Sequence, residues 1–476
     1  MSQASVEVAK IAATNKVQVK SANKPEKGKR PPLDMLHGSL WKTIPAFALP
    51  VALTGILEQM SSLIDTMMVG QLSGANAMAA VGSNTPITSL ILNLFIGIAL
   101  GTNVVIANAI GSDDMATVRK AVHSSVTLAA GGIVVTLLGE LLAEPLLHLL
   151  NVPSDTFPQA ITFLRVYLLG MPSILLYNFE AAIFRSVGIT KMPLQALAAS
   201  SVINVALVFV FIPMLGWGVA GAAAATAVSY TVAAAVLFFR LTHINSPICL
   251  EPRELGIDGP VLRRVVRIGL PAGLQSAVFS LANIVIQACI NSLGTEVMAA
   301  SSAVLSLEYV VYNLLNSFSQ ACTTFVGQNF GAGNIRRCKS VLLTALAEAE
   351  VVELVMLAIL LGFGHQILSL FNGDPEVIRL GYYRMCMIFP SYMFSMAYEN
   401  MSGYLRGFGI SLAPAILTAL GVCGWRFFWV SVVFPAAPSF ERLMMIYPIS
   451  LGFTTMLIFI ALMVIRPSKM YAQRTK

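Results

Sequence analysis

A chain of 476 residues that is 56% hydrophobic and only 11% charged, with a mean hydropathy of +0.76, cannot hide its apolar surface in a soluble core, where roughly 25% of residues are charged. This excludes an ordinary soluble enzyme or regulator and predicts an all-α polytopic membrane protein. The net charge of +7 is not a nucleic-acid signature, because the basic residues fall in loops and tails and form no stripe along one helix.

Residues 1–40 are polar and Lys-rich, with no apolar core of signal-peptide type. They are predicted to form a flexible basic cytoplasmic tail attracted to anionic headgroups. Twelve apolar runs follow, each long enough for the ~20 residues that cross a bilayer. They lie near 43–69, 84–108, 121–143, 160–183, 192–214, 217–240, 265–290, 300–327, 339–361, 380–403, 411–434 and 442–465. The polar stretch 241–264 divides them six and six. The predicted organisation is an N-lobe over 41–240, a cytoplasmic linker over 241–264, a C-lobe over 265–465 and a second cytoplasmic tail over 466–476. With both termini inside, 25 of the 30 Lys and Arg are cytoplasmic, and the loops 70–83, 214–218 and 291–299 contain none. The positive-inside rule then gives the orientation. It assigns Arg165, Arg379, Arg384, Arg426 and Arg442 to the outer side and leaves the mid-membrane helices almost free of Lys and Arg.

The two halves repeat. GTNVVIANAIGSDDMATVRK (101–120) aligns with ACTTFVGQNFGAGNIRRCKS (321–340), MAA at 78–80 with MAA at 298–300, and FRSVG (184–188) with LRGFG (405–409). Six helices per half is an even number, so both halves enter from the same side and form a parallel repeat about an axis along the membrane normal. Two such lobes leave a cleft between them.

Asp65 lies deep in the first apolar run, where a charge costs at least ~2.5 kcal/mol. Burial favours the neutral, protonated carboxyl, so Asp65 can alternate between holding a proton and attracting a cation. Glu58, seven residues earlier, shares its helical face. Glu180 and Glu399 stand five and seven residues before Arg185 and Arg406. Each reads either as an interfacial or ion-paired acid, or as a site for a ligand's cationic group or a second proton. Glu308 in the eighth run and Gln275 in the seventh are further polar candidates. Glu348, Glu350 and Glu353 are read as charges on the solvated start of the ninth helix, and Glu140 on the end of the third. Pro50, Pro172, Pro193, Pro271, Pro390 and Pro414 are expected to interrupt helices. No CxxC pair, HExxH, GxxxxGK[ST] or TVGYG occurs. No disulfide, metal, cofactor, catalytic set or ATPase is therefore expected.

The motifs IDTMMVGQLSG (64–74), GQNFGAGN (327–334), GVAGAAAATAVS (218–229) and the FRSVG/LRGFG pair resemble those of the MATE (multidrug and toxic compound extrusion) family over roughly residues 40–465. The resemblance implies a twelve-helix, two-lobed exporter in the cell (plasma or inner) membrane that expels organic cations and amphipathic drugs in exchange for protons or sodium. A monomer surrounded by lipid is expected. The family's N-lobe ion site maps onto Asp65, Asn204 and Thr226. Its second acid, four residues after the Asn, is Val208 here, which favours a proton over sodium. Functional acids of the family's C-lobe fall on the seventh, eighth and tenth helices, where this chain has Gln275, Glu308 and Glu399. Alternatives are a lipid-linked precursor flippase of the same superfamily, which needs basic residues facing the cleft, or an intramembrane enzyme or receptor.

Overall fold

The computed structural model describes residues 33–150 and 152–467. Most of the predicted N-terminal tail and the end of the C-terminal one lie outside the described residues. Long helices account for nearly all of the rest. The first six are α1 (Leu40–Ser73), α2 (Ala75–Gly111), α3 (Met115–Leu149), α4 (Phe157–Leu169 and Met171–Ser186, bent by 47°), α5 (Lys191–Met214) and α6 (Gly218–His243). The second six are α7 (Gly259–Ser292), α8 (Thr295–Gly331), α9 (Ile335–Gly362), α10 (Pro375–Gly407), α11 (Leu412–Ala436) and α12 (Phe440–Ile465). Among the described residues nine of these are long and apolar enough to cross a membrane, and the bent α4 makes a tenth. The remaining two, α9 and α10, are 28 and 33 residues long and fall short in apolarity because they carry Glu348, Glu350, Glu353, Arg384, Glu399 and Arg406 in their interiors.

The repeat is written into the backbone. α1 and α7 both have 34 residues, α2 and α8 both 37, α6 and α12 both 26. The tight α1–α2 and α7–α8 junctions turn on Gly74 (φ 91°) and Gly294 (φ 110°), a region of φ that a side chain disfavours. Helix starts are capped by Asp114, Asp258 and Asp374, whose carboxylates accept from the N–H groups of Thr117, Val261 and Glu376, satisfying donors that the helix leaves free.

Several sequence expectations change in the structure. Pro193 and Pro414 do not interrupt α5 and α11. They sit in the first turn, where the missing N–H has no helical partner to lose. Pro172 instead marks the 47° bend of α4. Glu348 and Glu353 are buried in the middle of α9 and are not charges on a solvated helix end. The linker proper is 244–258 and is strapped to α3. Arg119 forms a two-pronged pair with Glu254 (2.7 and 2.7 Å) and a pair with Glu251 (2.7 Å), and Lys120 pairs with Asp258 at 3.0 Å. The Lys120 ammonium and the Val261 N–H hold the Asp258 carboxyl below its ordinary value of 3.8. A depressed value contributes stability above the unfolded value and loses it as pH falls through the folded one, so the Lys120–Asp258 tie is intact at neutral pH and is lost only as the pH falls through the lowered Asp258 value.

Contact between the lobes is concentrated at the end of the bundle that carries the linker and the basic loops, here the basic end. Two apolar clusters mix the lobes there. Ile44, Phe47 and Val51 of α1 pack with Phe325 and its neighbours in α8, and Val104 of α2 packs with Val261 and Val265 of α7. Backbones touch where side chains are absent. A Cβ on Gly97 would lie 2.1 Å from the nitrogen of Gly273, and one on Gly331 would lie 2.0 Å from the carbonyl oxygen of Asn108. Small residues permit this approach within a membrane. Hydrogen bonds add to it: Thr324 donates to Asn103 (2.9 Å), Gln328 to the Ser186 carbonyl (2.7 Å) and Asn93 to Ser280 (3.1 Å). At the opposite end the clusters belong to one lobe each, so the lobes form a V that is closed at the basic end.

Gly327 and Ala107 face each other across this closure, with a Cβ–Cβ separation of 3.1 Å for an added Cβ, close to the ~3.8 Å of a disulfide. The double variant Ala107→Cys/Gly327→Cys is expected to lose both new thiols on mild oxidation and regain them on reduction, while each single variant keeps its thiol. Mass tagging with iodoacetamide reads this. Persistence of both thiols in the oxidised double variant would mean that the basic ends do not pack in this way.

Candidate functional site

At the heart of the N-lobe three helices bring Asp65 (α1), Asn204 (α5) and Thr226 (α6) together. Thr226 Oγ1 donates to Asp65 Oδ2 at 3.0 Å, and Asn204 Nδ2 lies 3.4 Å from the same oxygen and 3.5 Å from Thr226 Oγ1. Asp65 Oδ1 and Asn204 Oδ1 are buried and accept no hydrogen bond from the described residues. Among the described residues no arginine or lysine pairs with Asp65, whereas the buried Glu308 and Glu399 each have one. The reason for the arrangement is local. α6 opens on GVAGAAAA (218–225), Gly and Ala throughout except Val219, so it approaches α5 closely and carries the Thr226 hydroxyl to the carboxylate. Val208, one turn after Asn204, has 0% exposure and packs with Met68, Val69 and Ala222. It offers no oxygen to the site.

Glu58 lies one to two turns nearer the basic end on the same helix, half-buried, within the electrostatic reach of Arg185. Glu180 is fully buried in α4, and neither of its carboxylate oxygens accepts a hydrogen bond among the described residues. It is therefore neither interfacial nor paired with Arg185, whose Nη1 instead donates across the lobes to Gln320 Oε1 at 3.4 Å.

In the C-lobe two of the buried acids, Glu308 and Glu399, are paired, whereas Glu348 and Glu353 of α9 have no partner among the described residues. Arg384 Nε donates to Glu308 Oε1 at 2.8 Å with both side chains buried, and Arg406 Nη2 donates to Glu399 Oε2 at 3.2 Å and to Ser319 Oγ at 3.1 Å. Gln275 is buried in α7 and lies apart from the Asp65 trio. Arg384 and Arg426, counted above only as charges of the outer side, are fully buried residues of α10 and α11. Their neighbours in sequence are apolar and aromatic (YYRMCMIF, CGWRFFWV). That was the available signal, since an arginine amid such a run sits at membrane depth and needs a partner.

Removing one member of a buried ion pair leaves the other uncompensated, at a cost of about 3–5 kcal/mol. Glu308→Gln is accordingly expected to lower the thermal unfolding temperature in detergent strongly, and Glu308→Leu/Arg384→Met to recover most of the loss. Additive losses in that double-mutant cycle would contradict the pairing.

The MatE family profile matches this chain twice, over residues 50–210 and 271–428, the two halves of the repeat. A probable multidrug resistance protein, YoeA, of Bacillus subtilis is 27% identical over 394 residues, 81% of this chain and 85% of that one. A FAD transporter of Shewanella oneidensis is 29% identical over 354 residues, 72% of this chain and 78% of that one. The fold matches that of a multidrug resistance MATE family transporter of the MOP superfamily solved in an outward-facing conformation, with a TM-score of 0.85 at 21% identity over 94% of this chain and 100% of that one. The protein is a multi-pass membrane transporter and not an enzyme, and it belongs to the MATE multidrug efflux family.

Proposed function

We propose that this transporter exports amphipathic organic cations in exchange for protons, by alternating access across the cleft between its lobes. The observation that carries this reading is Asp65, held by Thr226 and Asn204 with one free carboxylate oxygen and no basic partner. A carboxyl in that setting is cheap when protonated and attracts a cation when ionised, so one group serves both halves of an exchange. Glu58 and Glu180 add acidic character to the same lobe, against a single nearby cation, Arg185. With the basic end toward the cytoplasm, the V opens outward. A proton then enters from outside, displaces a cation held near Asp65, and the lobes re-close around the empty cleft before the basic ends part. The multidrug relatives support a drug-like cargo; the ion coupling and the orientation are this proposal's own.

Sodium is the second reading, favoured by the two free oxygens of Asp65 and Asn204. A hard cation asks for six or more oxygens at ~2.3–2.6 Å in the calcium case, and comparably oxygen-rich cages in general. Val208 fills one side of this site with methyl groups. The proton reading requires no such cage.

In proteoliposomes, wild-type protein is expected to move ethidium under an imposed pH gradient and barely to respond to a sodium gradient at fixed pH. Asp65→Asn should elute and unfold like wild type but fail to drive coupled transport. Full ethidium transport by a folded Asp65→Asn protein would remove the coupling role. Robust sodium-driven transport by wild type would shift the reading to sodium.

A further inference from the structure

The internal repeat places a second polar junction at the C-lobe position that corresponds to the Asp65 trio. Asp65 and Asn283 are residues 26 and 25 of α1 and α7; Asn204 and Arg426 are residues 14 and 15 of α5 and α11; Thr226 and Tyr447 are residues 9 and 8 of α6 and α12. At 1.5 Å rise per residue, each pair lies at nearly equal depth in its lobe. In the C-lobe Arg426 touches both of the other two. Arg426 Nη1 donates to Asn283 Oδ1, and the guanidinium lies 5.2 Å from the Tyr447 ring centre. Across the repeat, an acid on the first helix has become an arginine on the fifth, and the charge of the junction is inverted.

Arg426 is 2% exposed. The Phe279 ring, 4.8 Å away, covers its guanidinium. Among the described residues no carboxylate lies within ion-pair distance of it, and its Nε donates to nothing. The neighbouring Glu308 is already taken by Arg384, whose guanidinium lies 6.0 Å from the Tyr447 ring centre. The junction as a whole therefore carries one uncompensated positive charge. Burying a cation without a counter-charge is costly, and cation–π contacts offset only part of that. The access route is also visible. Asn283 is exposed and stands three residues beyond Ser280, which still reaches Asn93 of the N-lobe. Asn283 thus lies where the lobes part, with Arg426 directly behind it.

We infer that Arg426 is the anchor of an oxyanion subsite in the cleft, with Asn283 as the neutral lid a ligand displaces, so that the transporter takes amphipathic substrates carrying a carboxylate or phosphate on the C-lobe side. A guanidinium presents forked donors that match such a group, and a single uncompensated charge matches a monoanion. Together with the acidic N-lobe, this favours zwitterions that span the cleft. The inference rests on the exporter reading above, and the ester arm of the experiment tests that reading separately.

The experiment compares two matched pairs of ligands on purified protein. Tetramethylrhodamine, a zwitterion with a free carboxylate, is paired with its ethyl ester, a cation of the same shape; binding is followed by fluorescence anisotropy. Farnesyl diphosphate is paired with farnesol as competitors, to separate a soluble carboxylate source from a lipid-linked phosphate source. Arg426→Gln is expected to weaken the free-acid dye, or the diphosphate competitor, about thirtyfold, the loss of a charge-assisted hydrogen bond, while the ester and the alcohol change little. Arg426→Lys keeps the charge and should retain most of the preference. Asn283→Ala, which frees the guanidinium without removing it, should tighten the acid alone, and this variant carries the test if Arg426→Gln does not fold. Equal losses for acid and ester, no loss for either anion, or no tightening in Asn283→Ala would overturn the subsite. Failure of wild type to bind even the ester would count against the exporter reading itself.

Discussion

The cost of holding a charge at membrane depth governs this structure. A single ionised group there is expensive unless it is paired, neutralised or given access to water. Glu308 and Glu399 of the C-lobe meet that constraint by pairing, with Arg384 and Arg406. Other acids have no basic partner among the described residues: Asp65 is supported by neutral donors only, and Glu180 in the N-lobe and Glu348 and Glu353 in the C-lobe are buried without any. Groups whose stable form depends on whether a proton is present are the ones suited to couple transport to a gradient.

The same constraint explains why the closure at the basic end is built from backbone and small polar groups. Helices in lipid gain nothing from hydrophobic burial against one another, because the surrounding chains are equally apolar. Beside the apolar packing of Phe47 on Phe325, the lobes meet through the Gly97–Gly273 and Gly331–Asn108 approaches and through neutral side-chain hydrogen bonds such as Thr324 to Asn103. Contacts of this kind are individually modest, ~0.6 kcal/mol on average where measured between membrane helices. A closure made of them can be exchanged for another without unfolding either lobe. Away from the basic end, by contrast, the apolar clusters each stay within one lobe, so the lobes can part there without disrupting them.

The internal repeat holds two copies of a three-helix junction, one built around an acid and the other around an arginine. The geometry of helix starts and lengths keeps the junctions at one depth, while a few substitutions decide what each attracts. This division lets a transporter vary its cargo without altering the scaffold that opens and closes.

Much of this was legible in the sequence. The count of spans, the six-and-six division, the parallel repeat and the depth of Asp65 follow from hydrophobic run length, charge asymmetry and self-similarity, all of which are local or periodic properties of the chain. The adjacency of Asn204 and Thr226 to Asp65 came only by resemblance, because residues 139 and 161 positions away leave no local trace of contact. The partners of Arg384 and Arg426, the mid-helix burial of Glu348 and Glu353, and the isolation of Glu180 were decided by tertiary structure alone. An arginine near a helix end and one at its core read alike in a string of letters. Which of the two it is depends on helix tilt, on where a span begins and on what packs against it, and those are properties of the assembled lobes. The sequence determined that charges lie within the membrane; the fold determined which of them are matched and which are left free to act.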